Sequence, residues 1–289
     1  MYLVLTIKAP SNLANFLEEE FYEIPNLSWE TEEKPEEILF KFYFPFSLKA
    51  EDEEKLAILE KITAKFAEVK TEYQLLEREN WEIIWKHHFK PLRIGRKLLI
   101  LPPWESPSLE DGLITIYIDP GQAFGTGHHA TTQLMLENTE IYLEELSEKI
   151  EEPKVLDLGC GTGILAIAVA KLYHKAKILA VDIDELALEA TRKNADLNQV
   201  LSQIKISDTL DESLRFHLIL ANIGLRELQA LLPTLKRVSY PEETILILSG
   251  ILREDLPQLE EHYLNQGFKR VKRQFLKEWS LLILRAPSK

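Results

Sequence analysis

Residues 1–78 alternate between apolar runs and amphipathic segments in the order of a small α+β unit. Apolar runs at 2–7, 27–29, 38–44 and 73–76 predict four strands. Two helical patterns lie between these runs, each with apolar residues every three or four positions. Ser11 is the candidate N-cap of the first helix. The apolar positions are Leu13, Phe16, Leu17 and Phe21 in the first helix, and Leu56, Leu59, Ile62, Phe66 and Val69 in the second. The β-α-β-β-α-β order predicts a ferredoxin-like fold, in which two helices cover an antiparallel sheet.

The second half of the chain, from residue 154, repeats a strand followed by a helix. Strands that are apolar throughout, such as LILA at 218–221 and ILIL at 245–248, are typical of a parallel sheet covered by helices on both faces. The last two strands, at 268–275 and 279–284, are so close in sequence that they must pair antiparallel. The pattern therefore predicts a Rossmann-like α/β sheet of seven strands that ends in a hairpin.

A polar stretch at 77–80 separates the two halves. We expect it to act as a hinge between a first domain at 1–78 and a second at 79–289. Within the second domain, apolar runs at 98–101 and 113–118 predict a pair of strands that lead into a loop.

Composition narrows the class of protein. The 289 residues include 34 Lys plus Arg and 47 Asp plus Glu, a formal charge of −13. This excess of acid argues against binding to naked nucleic acid, because phosphate neutralisation supplies most of that affinity, and it favours a basic protein as partner.

No run approaches the roughly 18–20 apolar residues of a membrane span, and no signal peptide is evident. The single cysteine, Cys160, cannot form an internal disulfide. We therefore expect a cytoplasmic monomer.

The segment VLDLGCGTG, at 155–163, carries the strongest chemical signal. An apolar strand containing Asp157 opens at Gly159 and Gly161 into a glycine-rich turn before a helix, where α/β sheets bind ligands. The dinucleotide pattern G-x-G-x-x-G fails, because Ile164 stands where its third glycine belongs. The D-x-G-x-G-x-G spacing instead resembles the turn of S-adenosylmethionine-dependent methyltransferases.

Acidic residues follow the next two strands. Asp182 ends a strand 23 positions after Gly159, where a carboxylate can accept hydrogen bonds from both hydroxyls of a ribose. Asp184 directly precedes a helix, so we interpret it as an N-cap. Asp208 ends the following strand and is predicted either to reach an adenine or to serve as a turn residue.

The loop DPGQAFGTGHHATT, at 119–132, is rich in glycine and opens into a helix. Backbone N–H groups and the Thr132 hydroxyl at a helix N-terminus suit an anionic carboxylate, such as the amino-acid end of a cofactor. Thr132 could equally be a helix cap. His128 and His129 have no third ligand nearby in the sequence, so we do not expect a metal site.

Asn222 follows the strand LILA and comes to the same edge of the sheet. Methyl transfer from a sulfonium requires a nucleophile with a free lone pair. An amide oxygen can accept a hydrogen bond from an amine and direct its lone pair without adding a charge, while desolvation favours the neutral amine. Asn222 is thus the candidate catalytic residue, with a plain strand-end turn as the alternative.

Taken together, the motifs resemble the PrmA family, the bacterial methyltransferases of large-subunit ribosomal protein eleven. The resemblance rests on DPGQAFGTGHHATT, VLDLGCGTGILAIA, VDID and LILANI in that order, and on WEIIWKHHFKPLRIGRKLLILPPW and the terminal KEWSLLILR. It covers about 80–289, whereas the first 78 residues share only the predicted β-α-β-β-α-β order with the family's substrate-recognition domain. The chain departs from the family's usual residues at His128, Ala130 and Gly224, which affects the shape of the amine entrance.

The resemblance implies S-adenosylmethionine as cofactor and methylation of lysine side chains and an N-terminal amine on ribosomal protein eleven. It implies cofactor contacts at Thr132, Gly159, Asp182 and Asn222. The full set of candidate cofactor-binding positions is Phe124, Gly125, Thr126, Thr132, Asp157, Gly159, Gly161, Asp182, Asp208 and Asn222. Two alternatives remain open: a methyltransferase of another protein lysine or a nucleic-acid base, and a nucleoside-binding protein without catalysis.

Overall fold

The computed structural model describes residues 2–22, 24, 27, 29–34, 37–45, 48, 50–76, 90–106, 112–119 and 125–288. The chain divides into two compact units, Met1–His88 and Phe89–Lys289. The predicted hinge at 77–80, and with it the predicted boundary between residues 78 and 79, lies outside the described residues.

The first unit has the predicted β-α-β-β-α-β order. Its elements are β1 (Tyr2–Pro10), α1 (Ala14–Tyr22), β2 (Trp29–Glu33), β3 (Glu37–Pro45), α2 (Ala50–Thr63) and β4 (Lys70–Leu76). The strands pair antiparallel in the order β2-β3-β1-β4, which confirms the ferredoxin-like fold. Ser11, the predicted cap of α1, lies instead in a 3-10 turn that precedes it. Strand β2 runs further into polar sequence than predicted, which an edge strand tolerates because only one side is paired.

Alternate residues of the central strands form the core of the first unit. Leu5 pairs with Phe42 and Ile7 with Phe40 across β1 and β3, and all four are fully buried. Phe21 of α1 packs edge-on against both phenylalanines, with ring centroids 5.3 and 5.0 Å away. The two-residue period of the strands thus places one apolar face under the helices.

The second unit begins with a small three-stranded sheet of β5 (Leu92–Ile94), β6 (Leu98–Leu101) and β7 (Ile114–Tyr117). Strands β6 and β7 are the predicted pair, and they run parallel. Strand β5 pairs antiparallel with β6 and was not predicted, because three residues are too short for a recognisable pattern.

The main sheet has seven strands in the order β10-β9-β8-β11-β12-β14-β13. Its strands are β8 (Lys154–Leu158), β9 (Lys177–Val181), β10 (Ile204–Ser207), β11 (Leu218–Asn222), β12 (Ile245–Leu252), β13 (Lys269–Leu276) and β14 (Trp279–Arg285). The first five pair in parallel, and β14 pairs antiparallel with both β12 and β13. The predicted parallel sheet with a terminal hairpin is confirmed.

Helices cover both faces of this sheet. They are α3 (Ala130–Ser147), α4 (Ile164–Leu172), α5 (Glu185–Leu197), α6 (Leu225–Arg237) and α7 (Leu256–Leu264). Side chains alternate along each strand, so that Val155 joins the core under α3, α4 and α5, while Leu156 joins the core under α6 and α7. Within the part of the chain that the structure describes, no helix is long and apolar enough to span a membrane.

Candidate cofactor site

The carboxyl ends of β9, β8 and β11 lie side by side and open into a cavity of about 510 Å³. This volume is within the range of about 300–1,000 Å³ that small-molecule sites occupy. The cavity is lined by Leu158, Gly159, Gly161, Val181, Asp182, Ile183, Asp184, Ala187, Asn222, Ile223, Gly224, Glu227 and Leu231. Of the predicted positions, Gly159, Gly161, Asp182 and Asn222 therefore meet at one site.

Among the described residues, the charged side chains of this lining are all acidic. They are Asp182, Asp184 and Glu227, and the described lining contains no lysine, arginine or histidine. A phosphate-bearing dinucleotide would meet repulsion there, whereas a cation such as a sulfonium would be attracted. The rest of the lining is largely apolar, which suits the faces of a nucleoside base.

Gly159 lets the turn after β8 pass close to the end of β11. Its φ of 72° is in the left-handed region, and an added Cβ would lie 2.3 Å from Cγ2 of Ile223. Its N–H donates to the Val181 carbonyl at 2.8 Å, which ties the turn to β9. A side chain at this position would strain the backbone and push Ile223, which itself lines the cavity.

Backbone hydrogen bonds hold the Asp182 carboxylate in place. Oδ2 accepts from the Gly161 N–H at 3.0 Å, and Oδ1 accepts from the Asp184 N–H at 3.1 Å. Because each carboxylate oxygen can accept more than one hydrogen bond, both can still receive a hydroxyl from a ligand. Asp184 caps α5 by accepting from the Leu186 N–H at 3.0 Å, as predicted.

Asp157 is buried and is not among the residues that line the cavity. Its side chain is fully buried, and Oδ2 accepts from the Ala166 N–H at 3.0 Å. Oδ1 has no hydrogen-bond partner among the described residues. Burial raises the pKa of Asp157 to about 7. The Ala166 hydrogen bond opposes this rise, and the charge of Asp182 adds a smaller contribution to it. This carboxyl therefore joins β8 to α4 across the glycine-rich turn.

The loop before α3 is fastened to the same turn. Thr162, fully buried, donates from Oγ1 to the Gly125 carbonyl at 2.6 Å. His129 caps α3, and its Nδ1 accepts from the Thr131 N–H at 3.4 Å, so the alternative that Thr132 caps this helix is wrong. Burial lowers the pKa of His129 and so favours the neutral ring in its place against Trp279.

Asn222 and Thr132, 90 residues apart in sequence, come together at the end of β11. The Asn222 Nδ2 lies 3.5 Å from the Thr132 Oγ1, at the limit of a hydrogen bond. The Asn222 Oδ1 is buried and has no partner among the described residues. A buried amide oxygen without a donor is costly, so this atom is suited to accept a hydrogen bond from a bound molecule.

Several predicted positions are not in the cavity lining. Asp208 is exposed in the bend after β10, and Gly125 and Thr126 lie in the loop before α3. Phe124 lies outside the described residues. His128 is committed to the Lys90 carbonyl, 3.0 Å from its Nε2. Among the described residues no group of three potential metal ligands is found.

Sequence reasoning missed three lining residues that now stand out. Ile183 is 95% exposed at the cavity although it is a large apolar residue. Glu227 and Leu231, one turn apart on α6, also line the cavity. The apolar residue directly after Asp182 could have signalled a base-binding surface, whereas nothing in the local sequence points to α6.

A parallel sheet with an antiparallel seventh strand, a glycine-rich turn after β8 and an acid after β9 define the fold class of S-adenosylmethionine-dependent methyltransferases. The family model of ribosomal protein L11 methyltransferase (PrmA) matches residues 11–287. The chain therefore belongs to the PrmA family, as the sequence motifs indicated.

Individual relatives agree with this assignment. A ribosomal protein L11 methyltransferase of Trichlorobacter lovleyi is 42% identical over 78% of this chain and 76% of its own. A ribosomal protein L11 methyltransferase from Legionella pneumophila is 37% identical over 82% of this chain and 79% of its own. The crystal structure of a ribosomal protein L11 methylase from Lactobacillus delbrueckii subsp. bulgaricus is 32% identical, with a TM-score of 0.61 over 69% of this chain and all of that one.

Proposed function

We propose that this chain uses S-adenosylmethionine to methylate amines of ribosomal protein L11, at lysine side chains and the N-terminus. The observation that carries the proposal is the cavity itself. Its described charged residues are all acidic, and its lining includes Asn222, whose buried amide oxygen has no donor among the described residues. Family membership then selects the substrate, because the relatives named above are L11 methyltransferases. We also propose that the reaction takes place in the cytoplasm and that the enzyme is a monomer.

The residues present fit the cofactor. Asp182 would hold the ribose hydroxyls, since its carboxylate is fixed by two backbone N–H groups. The turn at Gly159 would let the nucleoside approach the backbone, because no side chain fills that space. Thr132 and the start of α3 would hold the amino-acid end through a hydroxyl and the positive end of the helix dipole. When bound, the cofactor supplies an electrophilic methyl group on a sulfonium.

Asn222 would orient the acceptor amine. A lysine amine has a reference pKa of about 10.4 and an α-amine one of about 7.7–8.0, so each must lose a proton to expose its lone pair. Desolvation beside a sulfonium favours the neutral form, and the proton leaves to water. The Asn222 Oδ1 can then accept an N–H and aim the lone pair without stabilising an ammonium as a carboxylate would. No charged general base is required.

The first unit would recognise the substrate protein. It is compact by itself, and the family model extends into it from residue 11. Recognition by a separate unit would let one catalytic edge serve several amines. A basic protein is a suitable partner for a chain of charge −13.

The test is methylation of purified, unmethylated L11 with labelled S-adenosylmethionine, followed by mass spectrometry of the product. We expect methyl groups on lysine and α-amines, and loss of transfer in Asn222→Ala and Asp182→Ala. Asn265→Ala, a change of an exposed asparagine at the end of α7, serves as the matched control. An unmethylated L11, with label transferred to another protein or to a nucleic-acid base, would contradict the assigned substrate.

A further inference from the structure

Glu227 occupies a distinctive place in the cavity. It lies in the first turn of α6, and its Oε2 would be 2.5 Å from a Cβ added at Gly224. The absence of a side chain at Gly224 therefore gives the Glu227 carboxylate room beside the end of β11. Across the part of the chain that the structure describes, the Glu227 side chain has no hydrogen bond or ion pair.

The other two acids of the lining already have roles. Both Asp182 oxygens accept backbone N–H groups, and Asp184 caps α5. Glu227 is thus the acid of the described lining whose carboxylate has no described partner. Asp208, predicted either to reach an adenine or to serve as a turn residue, is exposed and does not line the cavity.

The surroundings of Glu227 fit the base end of a nucleoside. Leu231 lies one helical turn away on the same face of α6 and shares the lining with Leu158 and Val181. Ile183, almost fully exposed, faces the cavity from the β9 side. Apolar side chains beside an unpartnered carboxylate suit a flat base whose faces are apolar and whose edge carries a donor. Adenine has such a donor in its 6-amino group.

We propose that Glu227 selects the adenine base by accepting a hydrogen bond from its 6-amino group. This inference rests on the proposed function, since it assumes that an adenosyl cofactor fills the cavity. It assigns to α6 the base recognition that the sequence suggested for the loop after β10. Hypoxanthine, which carries an oxygen in place of the amine, would set two acceptors against each other and be rejected.

A different role for Glu227 is attraction of the substrate ammonium. That role would leave cofactor affinity unchanged and raise KM for L11. A purely structural role, in which the carboxylate favours the N-terminus of α6, would lower stability without changing the choice of base. Base selectivity in a direct binding measurement separates these possibilities.

The experiment measures the Kd of S-adenosylhomocysteine and of its inosine analogue by calorimetry, for the full chain and its variants. Glu227→Leu should weaken S-adenosylhomocysteine binding on the order of tenfold, as expected for loss of a hydrogen bond to a charged group. The affinity for the inosine analogue should be unchanged or higher, so that the preference for adenine disappears. Glu227→Gln keeps an acceptor oxygen for the 6-amino group but adds an N–H donor that can pair with the hypoxanthine oxygen, so it should bind both compounds and lose most of the preference. Glu189→Leu, at an exposed glutamate on α5, is the matched control.

An adenine preference that survives in Glu227→Leu would overturn the inference, as would a KM for L11 that rises while both dissociation constants stay the same. Loss of the preference in Asp208→Ala would return base recognition to the loop after β10. If the wild-type chain binds neither compound, the proposed cofactor itself is wrong, and that result is distinct from a failure at Glu227 alone.

Discussion

The buried carboxyl of Asp157 predicts an unusual dependence of stability on pH. In the folded protein its pKa is raised to about 7 by burial, whereas an aspartate in the unfolded chain titrates near 3.9. Between these two values the folded state keeps a proton that the unfolded state has lost. The contribution is therefore fully present below the unfolded pKa and disappears as the pH rises through 7.

The size of the effect follows from that difference. About 3 pH units at about 1.36 kcal/mol each amount to roughly 4 kcal/mol over the whole window. Between pH 5 and 8 the expected part is about 2.5 kcal/mol, since some of the change has already occurred at pH 5. Asp157→Asn, which keeps the shape of the side chain and an acceptor for the Ala166 N–H, removes the titration.

Urea unfolding of the wild type and of Asp157→Asn at pH 5, 6, 7 and 8 provides the measurement. The stability of the variant relative to the wild type should increase by about 2.5 kcal/mol across this range and level off above pH 7. Comparing the two proteins cancels the contribution of all other titrating groups. Asp196→Asn, at an exposed residue of α5, is the matched control variant. A constant difference between the wild type and Asp157→Asn across this pH range would refute a pKa near 7.

Two further changes test the turn and the loop around the cavity. Gly159→Ala should destabilise the fold by about 1–2 kcal/mol, because its backbone is in the left-handed region. It should also weaken S-adenosylhomocysteine binding, because the added Cβ forces Ile223 to move. If calorimetry gives the variant the same affinity as the wild type, the collision with Ile223 is relieved without changing the cavity. Thr162→Val leaves the Gly125 carbonyl without its donor and should lower the free energy of unfolding by about 1–3 kcal/mol, measured by urea unfolding. An unchanged urea midpoint would mean that this hydrogen bond does not hold the loop.

Much of the local structure followed from sequence periodicity. The ferredoxin-like order, the parallel strands and the terminal hairpin were all predicted, because alternation and helical spacing are properties of neighbouring residues. The Asp184 cap was predicted for the same reason. Where the pattern was short or polar, as in β5 and β2, the elements or their bounds were missed.

The sequence by itself determined which side chains could do chemistry: the turn at Gly159, the acid Asp182 and the amide Asn222 each stand at the end of an apolar strand. Only the tertiary structure decided which of them share a cavity. It brought Thr132 to Asn222, left Asp208 outside the lining and supplied Glu227 from α6. The physical reason is that strand order and helix packing depend on burying whole faces of the sheet, a condition spread over both cores and not readable from any one segment.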